Sequence, residues 1–247
     1  MPESLARFRR LDSEKIIATV EILERRIGER FPGSGLGNIV SELRRIAEET
    51  VTRTAWIQKP HLPLRTGAVT LSLVIIALAT VMVFNIREYR LTEYTNFIQA
   101  LEATISSVVF IGAAILFLVS WENRIKRNRA LAAIHELRAM AHIVDMHQLT
   151  KDPESCFGPG LAAASTQRRP MTPFDLNRYL DYASEALALI SKIAALYAQG
   201  FQDTVVLDAV DDVEDLTSGF SRKIWQKITI LEQLGRSAPA VKGAAPA

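Results

Sequence analysis

The sequence predicts an all-α membrane protein, in which a two-span transmembrane helical hairpin is preceded by a cytoplasmic helical hairpin and followed by helical bundle or coiled-coil segments. Three observations carry this prediction. Two uncharged apolar runs of membrane-crossing length lie close together in the chain, apolar residues outside them recur at steps of three and four, and no stretch alternates as a strand does.

The first run, residues 67–86, reads GAVTLSLVIIALATVMVFNI. At a rise of about 1.5 Å per residue, about 20 such residues reach across a hydrocarbon core of about 30 Å. The second run, residues 103–121, reads ATISSVVFIGAAILFLVSW and places Trp121 where an indole favours the interface. The connector between them, residues 87–102, holds Tyr89, Tyr94 and Phe97 and is too short for a folded domain, so it is expected as a short external turn. Residues 1–30 are charged and carry no apolar run, so neither span is expected to be a cleaved signal peptide.

Charge around the spans predicts their orientation. Arg53, Lys59 and Arg65 precede the first, and Arg124, Lys126, Arg127 and Arg129 follow the second, against Arg87 and Arg90 in the connector. The excess of base on one side predicts both termini in the cytoplasm of a bacterial-type inner (plasma) membrane. Arg124, Lys126, Arg127 and Arg129 are expected to meet anionic lipid headgroups, each contributing about 1 kcal/mol near the surface.

The remaining segments read as helices. Residues 1–58 form an expected αα-hairpin, with Ile16, Val20, Leu23, Ile27 and Phe31 on one stripe, a break at FPGSGLG, and Leu36, Val40, Leu43, Ala47 and Val51 on the next. Pro60 and Pro63 break the chain in a juxtamembrane linker, residues 59–66. After Trp121 neither Pro nor Gly occurs before Pro153, so the second span is expected to continue as a stalk helix over 122–150, with Ala130, Ile134, Leu137, Ala141 and Val144 on its apolar face. A loop rich in Gly, Pro, Ser and Ala follows at 151–171.

The C-terminal helical segment, 172–234, opens on Thr172, Pro173 and Asp175, a favourable cap, first residue and dipole partner. Leu176, Leu180, Ala183, Leu187, Ile190, Ala194 and Tyr197 then step as a heptad seam, with Leu176, Leu180, Leu187, Ile190 and Tyr197 the expected partner or packing residues. After Gly200, Val206, Ala209, Val213, Leu216 and Phe220 repeat the pattern, with Gly219 a candidate kink, and the tail 235–247 lacks bulky apolar residues.

Composition narrows the function classes. In 247 residues a net charge of +2 does not suggest nucleic-acid binding, and a mean hydropathy of +0.12 fits two spans rather than many. The single cysteine, Cys156, excludes an intramolecular disulfide and a four-Cys zinc site. His135, His142, Asp145 and His147 crowd the stalk, but Arg138 intervenes on the same face, so His135, His142 and Asp145 are expected to form a polar, pH-sensitive contact rather than a metal site. Asp208, Asp211, Asp212, Glu214 and Asp215 form an acidic cluster. Its string Asp211-Asp212-Val213-Glu214-Asp215 is similar to the DDxxD motif by which all-helical prenyl synthases hold magnesium and diphosphate. That resemblance covers five residues, and no facing acidic motif accompanies it, so a solvated face, or a pairing with Arg222, Lys223 and Lys227 or with the ENRIKRNR stretch at 122–129, is expected.

No nucleophile elbow, dinucleotide fingerprint or catalytic triad order occurs, and neither span carries an ionisable residue. The expectation is therefore a non-enzymatic inner-membrane anchor, scaffold or signal relay without a cofactor. It would act on the bilayer and on a helical partner, either a homo-oligomer or another protein. The alternative is an oligomeric two-span channel or pore-forming membrane effector, a class whose layout this chain resembles.

Overall fold

The computed structural model describes residues 10–59, residues 66–81 apart from 68, 71, 78 and 79, and residues 94–157 and 171–237. Among the described residues the fold is all helical, with no strand. In chain order, α1 spans Ser13–Arg30, α2 Gly35–Gln58, α3 Tyr94–Leu149, α4 Pro173–Gly200 and α5 Thr204–Ser237, with a 3-10 turn at Pro153–Cys156 between α3 and α4. The chain divides into two compact units, one of Met1–Trp56 with Ala130–Ala247, the other of Ile57–Arg129.

Local chemistry starts and stops these helices. Asp12 caps α1, its Oδ1 accepting from the backbone N–H of Glu14 and Lys15. Gly33, with φ at +71°, takes the left-handed turn that lets α2 fold back on α1. Thr172 caps α4 by accepting from the Asp175 N–H at 3.1 Å, and Pro173 fills the first helical position. The Thr172 hydroxyl and the Arg30 guanidinium hold the Asp175 carboxyl below its ordinary pKa. Asp203 then caps α5 through Val205 N–H at 3.1 Å.

In the first unit α1, α2, the C-terminal part of α3, α4 and α5 form an up-and-down bundle. Arg44 of α2 reaches Glu24 of α1 at 3.0 Å, Arg53 of α2 reaches Glu136 of α3 at 2.7 Å, and Arg26 of α1 reaches Glu185 of α4 at 2.8 Å. These pairs lie at the surface and contribute register more than stability. The core is apolar. Val20, Ile27, Leu36, Val40, Leu43, Leu137, Ala141, Val144, Leu180, Leu187, Ile190 and Val213 are all fully buried.

The helix α4 is central. Leu176, Leu180, Leu187, Ile190 and Tyr197 are buried, and so are Tyr179, Tyr182, Ala186, Leu189, Ile193 and Leu196 on other faces. Burial around most of its circumference follows from its neighbours: α4 packs along both α5 and α1, and its Tyr197 hydroxyl donates to Thr50 Oγ1 of α2 at 3.2 Å. The stripe α5 turns inward is Val206, Val210, Val213, Thr217, Phe220, Ile224, Ile228 and Leu231. Val210 and Thr217 therefore take core positions that the sequence suggested for Ala209 and Leu216, which are only half-buried.

In the second unit the apolar part of α3 is exposed. Val108, Phe110, Leu116 and Phe117 are each more than half accessible, and only 6% of the helix's most apolar window is buried. By length and composition α3 is one helix able to cross a membrane. It begins at Tyr94, inside the expected connector, because neither Pro nor Gly interrupts the chain between there and Gly112. The first expected span, 67–86, falls partly outside the described residues, although 66–67, 69–70, 72–77 and 80–81 are helical. Most of the linker, the expected loop and the tail (60–65, 158–170 and 238–247), like 82–93 of the span and connector, also lies outside them.

Candidate functional site

The expected stalk contact is not assembled as a His–carboxylate pair. The exposed His142 ring meets the edge of Phe220 of α5, centroid to centroid 5.4 Å, while Asp145 accepts from Gln148 Nε2 at 2.7 Å, and His135 faces solvent. His147, the remaining stalk histidine, uses Nδ1 on the Ile143 carbonyl at 2.9 Å and packs over Gly35 at the start of α2. Among the described residues no group of three or more His, Cys, Asp or Glu side chains is arranged to hold a metal ion. Cys156 is half-buried, and burial pushes its thiol pKa up, which keeps it protonated.

The basic residues expected at the headgroups divide. Arg124 and Arg129 are exposed and Arg127 is half-buried. Lys126 is turned inward, with its ammonium 2.8 Å from the Glu122 carboxylate and the two side chains 8% and 6% exposed. An i, i+4 acid–base pair next to an apolar run is readable in the sequence, so the partner of Lys126 was there to be found.

The acidic cluster forms one exposed side of α5, with Asp208, Asp211, Asp212, Glu214 and Asp215 all accessible. Part of it borders a groove of about 540 Å³ between α5 and the C-terminal part of α3, lined among others by Arg138, Asp215, Gly219, Phe220, Arg222 and Lys223. Arg138 approaches Asp212 at 3.6 Å, and the Lys223 ammonium lies 4.9 Å over the Phe220 ring. Charge along this groove is polar in the lengthwise sense: the acids precede Gly219 and the bases Arg222 and Lys223 follow it.

Gly219 interrupts nothing. The helix runs through it, and a Cβ built there would meet no atom within 4 Å. A mid-helix glycine costs about 0.5–1 kcal/mol relative to alanine, and here no contact within the bundle explains it. The sequence marked Gly219 as a candidate kink but gave no sign of Arg138 as its neighbour across the groove, since these residues lie far apart in the chain.

No protein-family model, curated protein or solved structure matches this chain.

Proposed function

We propose that this protein is a membrane-anchored helical scaffold or signal relay, held in a bacterial-type inner membrane by a two-span hairpin with both termini in the cytoplasm. The observation that supports it most directly is the change of environment within one helix. The apolar part of α3 presents Val108, Phe110, Leu116 and Phe117 outward, while its C-terminal part buries Ala130, Ile134, Leu137, Ala141 and Val144 in a bundle. A large exposed apolar surface in water is strongly disfavoured, and hydrocarbon is the solvent that suits it. The same helix then supplies a structural wall of a bundle whose outer faces, among the described residues, carry charge and a groove.

The test is fractionation of the full chain combined with reporter fusions. The protein is expected to resist alkaline extraction and to float with vesicles. Fusions at Ser4 and Ala240 should report cytoplasm, and one at Thr95 the opposite side. Release into the soluble fraction overturns the anchor, and an external carboxyl terminus overturns the two-span topology. Robust ion flux through liposomes holding the purified chain overturns the scaffold reading in favour of a channel.

A further inference from the structure

We propose that the outer face made by α2, α3 and α5 receives a second copy of this chain, with the two α3 helices side by side and parallel about a twofold axis along the membrane normal. This rests on the membrane-anchored scaffold reading and names the surface through which the scaffold assembles.

The face lies within the first unit, and α3 is its centre. Ala132, His135, Ala139, His142, Met146 and Leu149 step by three and four along one exposed line, with Met146 57% and Leu149 60% accessible. These are the a and d places of a parallel two-stranded coiled coil, and alanine at 132 and 139 lets two helices approach closely. The line holds no Asp, Glu, Lys or Arg. Between Ala132 and Leu149 the two exposed charges are drawn to either side of it, Glu136 to Arg53 of α2 at 2.7 Å and Arg138 to Asp212 of α5 at 3.6 Å. A strip cleared of charge in this way meets its own copy with no like charges opposed.

Charge on the flanking helices selects the same partner. Copies anchored in one bilayer hold α3 in one direction and at one height, so a twofold axis parallel to α3 sets α2 of each copy opposite α5 of the other. Within a copy α2 runs against α3, with Arg53 beside Glu136 and Gly35 under His147, and α5 runs with it, with Asp212 beside Arg138 and Phe220 beside His142. The facing helices are therefore antiparallel. Arg53 and Asp212 lie beside the same turn of α3, so Arg53 of one copy comes opposite Asp212 of the other. Glu42 then comes opposite Lys223, because each lies eleven residues from those positions, toward the Leu149 end of α3. Symmetry makes both contacts twice. Arg45 comes level with Gly219, whose missing side chain leaves it room on the groove, and it stays paired with Glu42 and Glu49 of its own helix.

The test is the oligomeric state of the full chain in detergent micelles, measured by light scattering with the detergent mass subtracted, together with disulfide trapping in membrane vesicles by copper phenanthroline. The unmodified chain should be a dimer. Glu42→Lys and Lys223→Glu should each weaken the dimer about tenfold or more, because each brings two like-charged pairs together. An equimolar mixture of the two variants should dimerise again, since every lysine then faces a glutamate. In a Cys156→Ser chain, Ala139→Cys should be trapped as a dimer, whereas Ala188→Cys, exposed on α4, should not. A monomeric unmodified chain, reversals that leave the dimer intact, a mixture that stays monomeric, or equal trapping at 139 and 188 overturns the proposal. Alkaline extraction of the same variants should be unchanged, so failure of this pairing and failure of the membrane reading are separately visible.

Discussion

Lys227 of α5 closes the end of α3: its Nζ donates to the Gln148 carbonyl oxygen at 2.7 Å and to the Lys151 carbonyl oxygen at 3.0 Å. The final carbonyls of a helix have no partner within it, and a cation there also opposes the negative end of the dipole. Burial lowers the Lys227 pKa, while Asp152 and Asp145 act in the opposite direction. Lys227→Met should remove the ammonium from both carbonyls, leaving the Gln148 oxygen with the Lys151 N–H at 3.0 Å, and cost about 1–3 kcal/mol, read as a lowered midpoint in chemical denaturation followed by circular dichroism. An unchanged midpoint would show that water replaces the ammonium without cost.

Leu187 is fully buried in the centre of α4, whereas Lys192 is exposed. Leu187→Asp loses apolar packing worth about 2–5 kcal/mol and adds an unpaired carboxylate, so it should prevent folding or assembly of the bundle. Lys192→Ala should change stability by no more than about 0.5 kcal/mol. Melting and elution of the two variants side by side separate core packing from general sensitivity of α4.

At Gly35 an added Cβ would come within 2.6 Å of His147 Nε2. The ring has little freedom to yield while its Nδ1 is engaged with the Ile143 carbonyl. Gly35→Ala should therefore destabilise the bundle by about 1–3 kcal/mol through overpacking. In a His147→Ala background most of that cost should disappear, and a thermodynamic cycle on the four chains measures the coupling.

Burial pushes the Tyr179 hydroxyl up to about 12 and raises Tyr197 as well, against the Thr50 hydrogen bond. A phenol whose folded pKa exceeds its unfolded value of about 10 favours the fold fully below that pH, and the contribution is lost as pH rises toward the folded value. Denaturation midpoints should fall between pH about 10 and about 12, by on the order of 2 kcal/mol for Tyr179. Tyr179→Phe should flatten this fall, and a slope identical in variant and unmodified chain would assign it to other groups.

The Glu122–Lys126 pair gives a contrast between breaking and replacing a buried interaction. Glu122→Gln leaves an ammonium enclosed without its counter-ion and should cost about 3–5 kcal/mol, whereas Glu122→Leu with Lys126→Leu should be neutral or stabilising. The comparison is made by thermal aggregation in detergent. Equal losses in both chains would mean that packing, not charge, holds this turn.

Periodicity made the helices legible, because steps of three and four read directly as buried stripes in α1, α2 and α4. It was less precise in α5, where Thr217 was passed over for the more apolar Leu216. The hydroxyl of Thr217 accommodates itself locally by donating to the Glu214 carbonyl at 3.0 Å, which lets it take a core position. Contacts between distant segments were not legible at all. Gly35 against His147, Lys227 on Gln148 and Arg138 beside Gly219 each depend on which helices become neighbours, and a local pattern carries no record of that. The pairing of Lys126 with Glu122 one turn earlier was in the sequence and was not drawn from it, because a basic residue beside a span is commonly turned outward.

The two-sided burial of α4 also has a meaning for synthesis. The hairpin of α1 and α2 is translated before α4, yet α1, with Val20 and Ile27 fully buried, packs along α4, whose residues are translated much later. Between those moments the face of α1 that packs on α4 is uncovered, while the ribosome is still delivering the apolar stretch of α3. A chaperone that shields this early hairpin, or a pause that shortens its wait, therefore becomes part of how the protein reaches its fold, and nascent chains ending before Pro173 are the ones expected to stick.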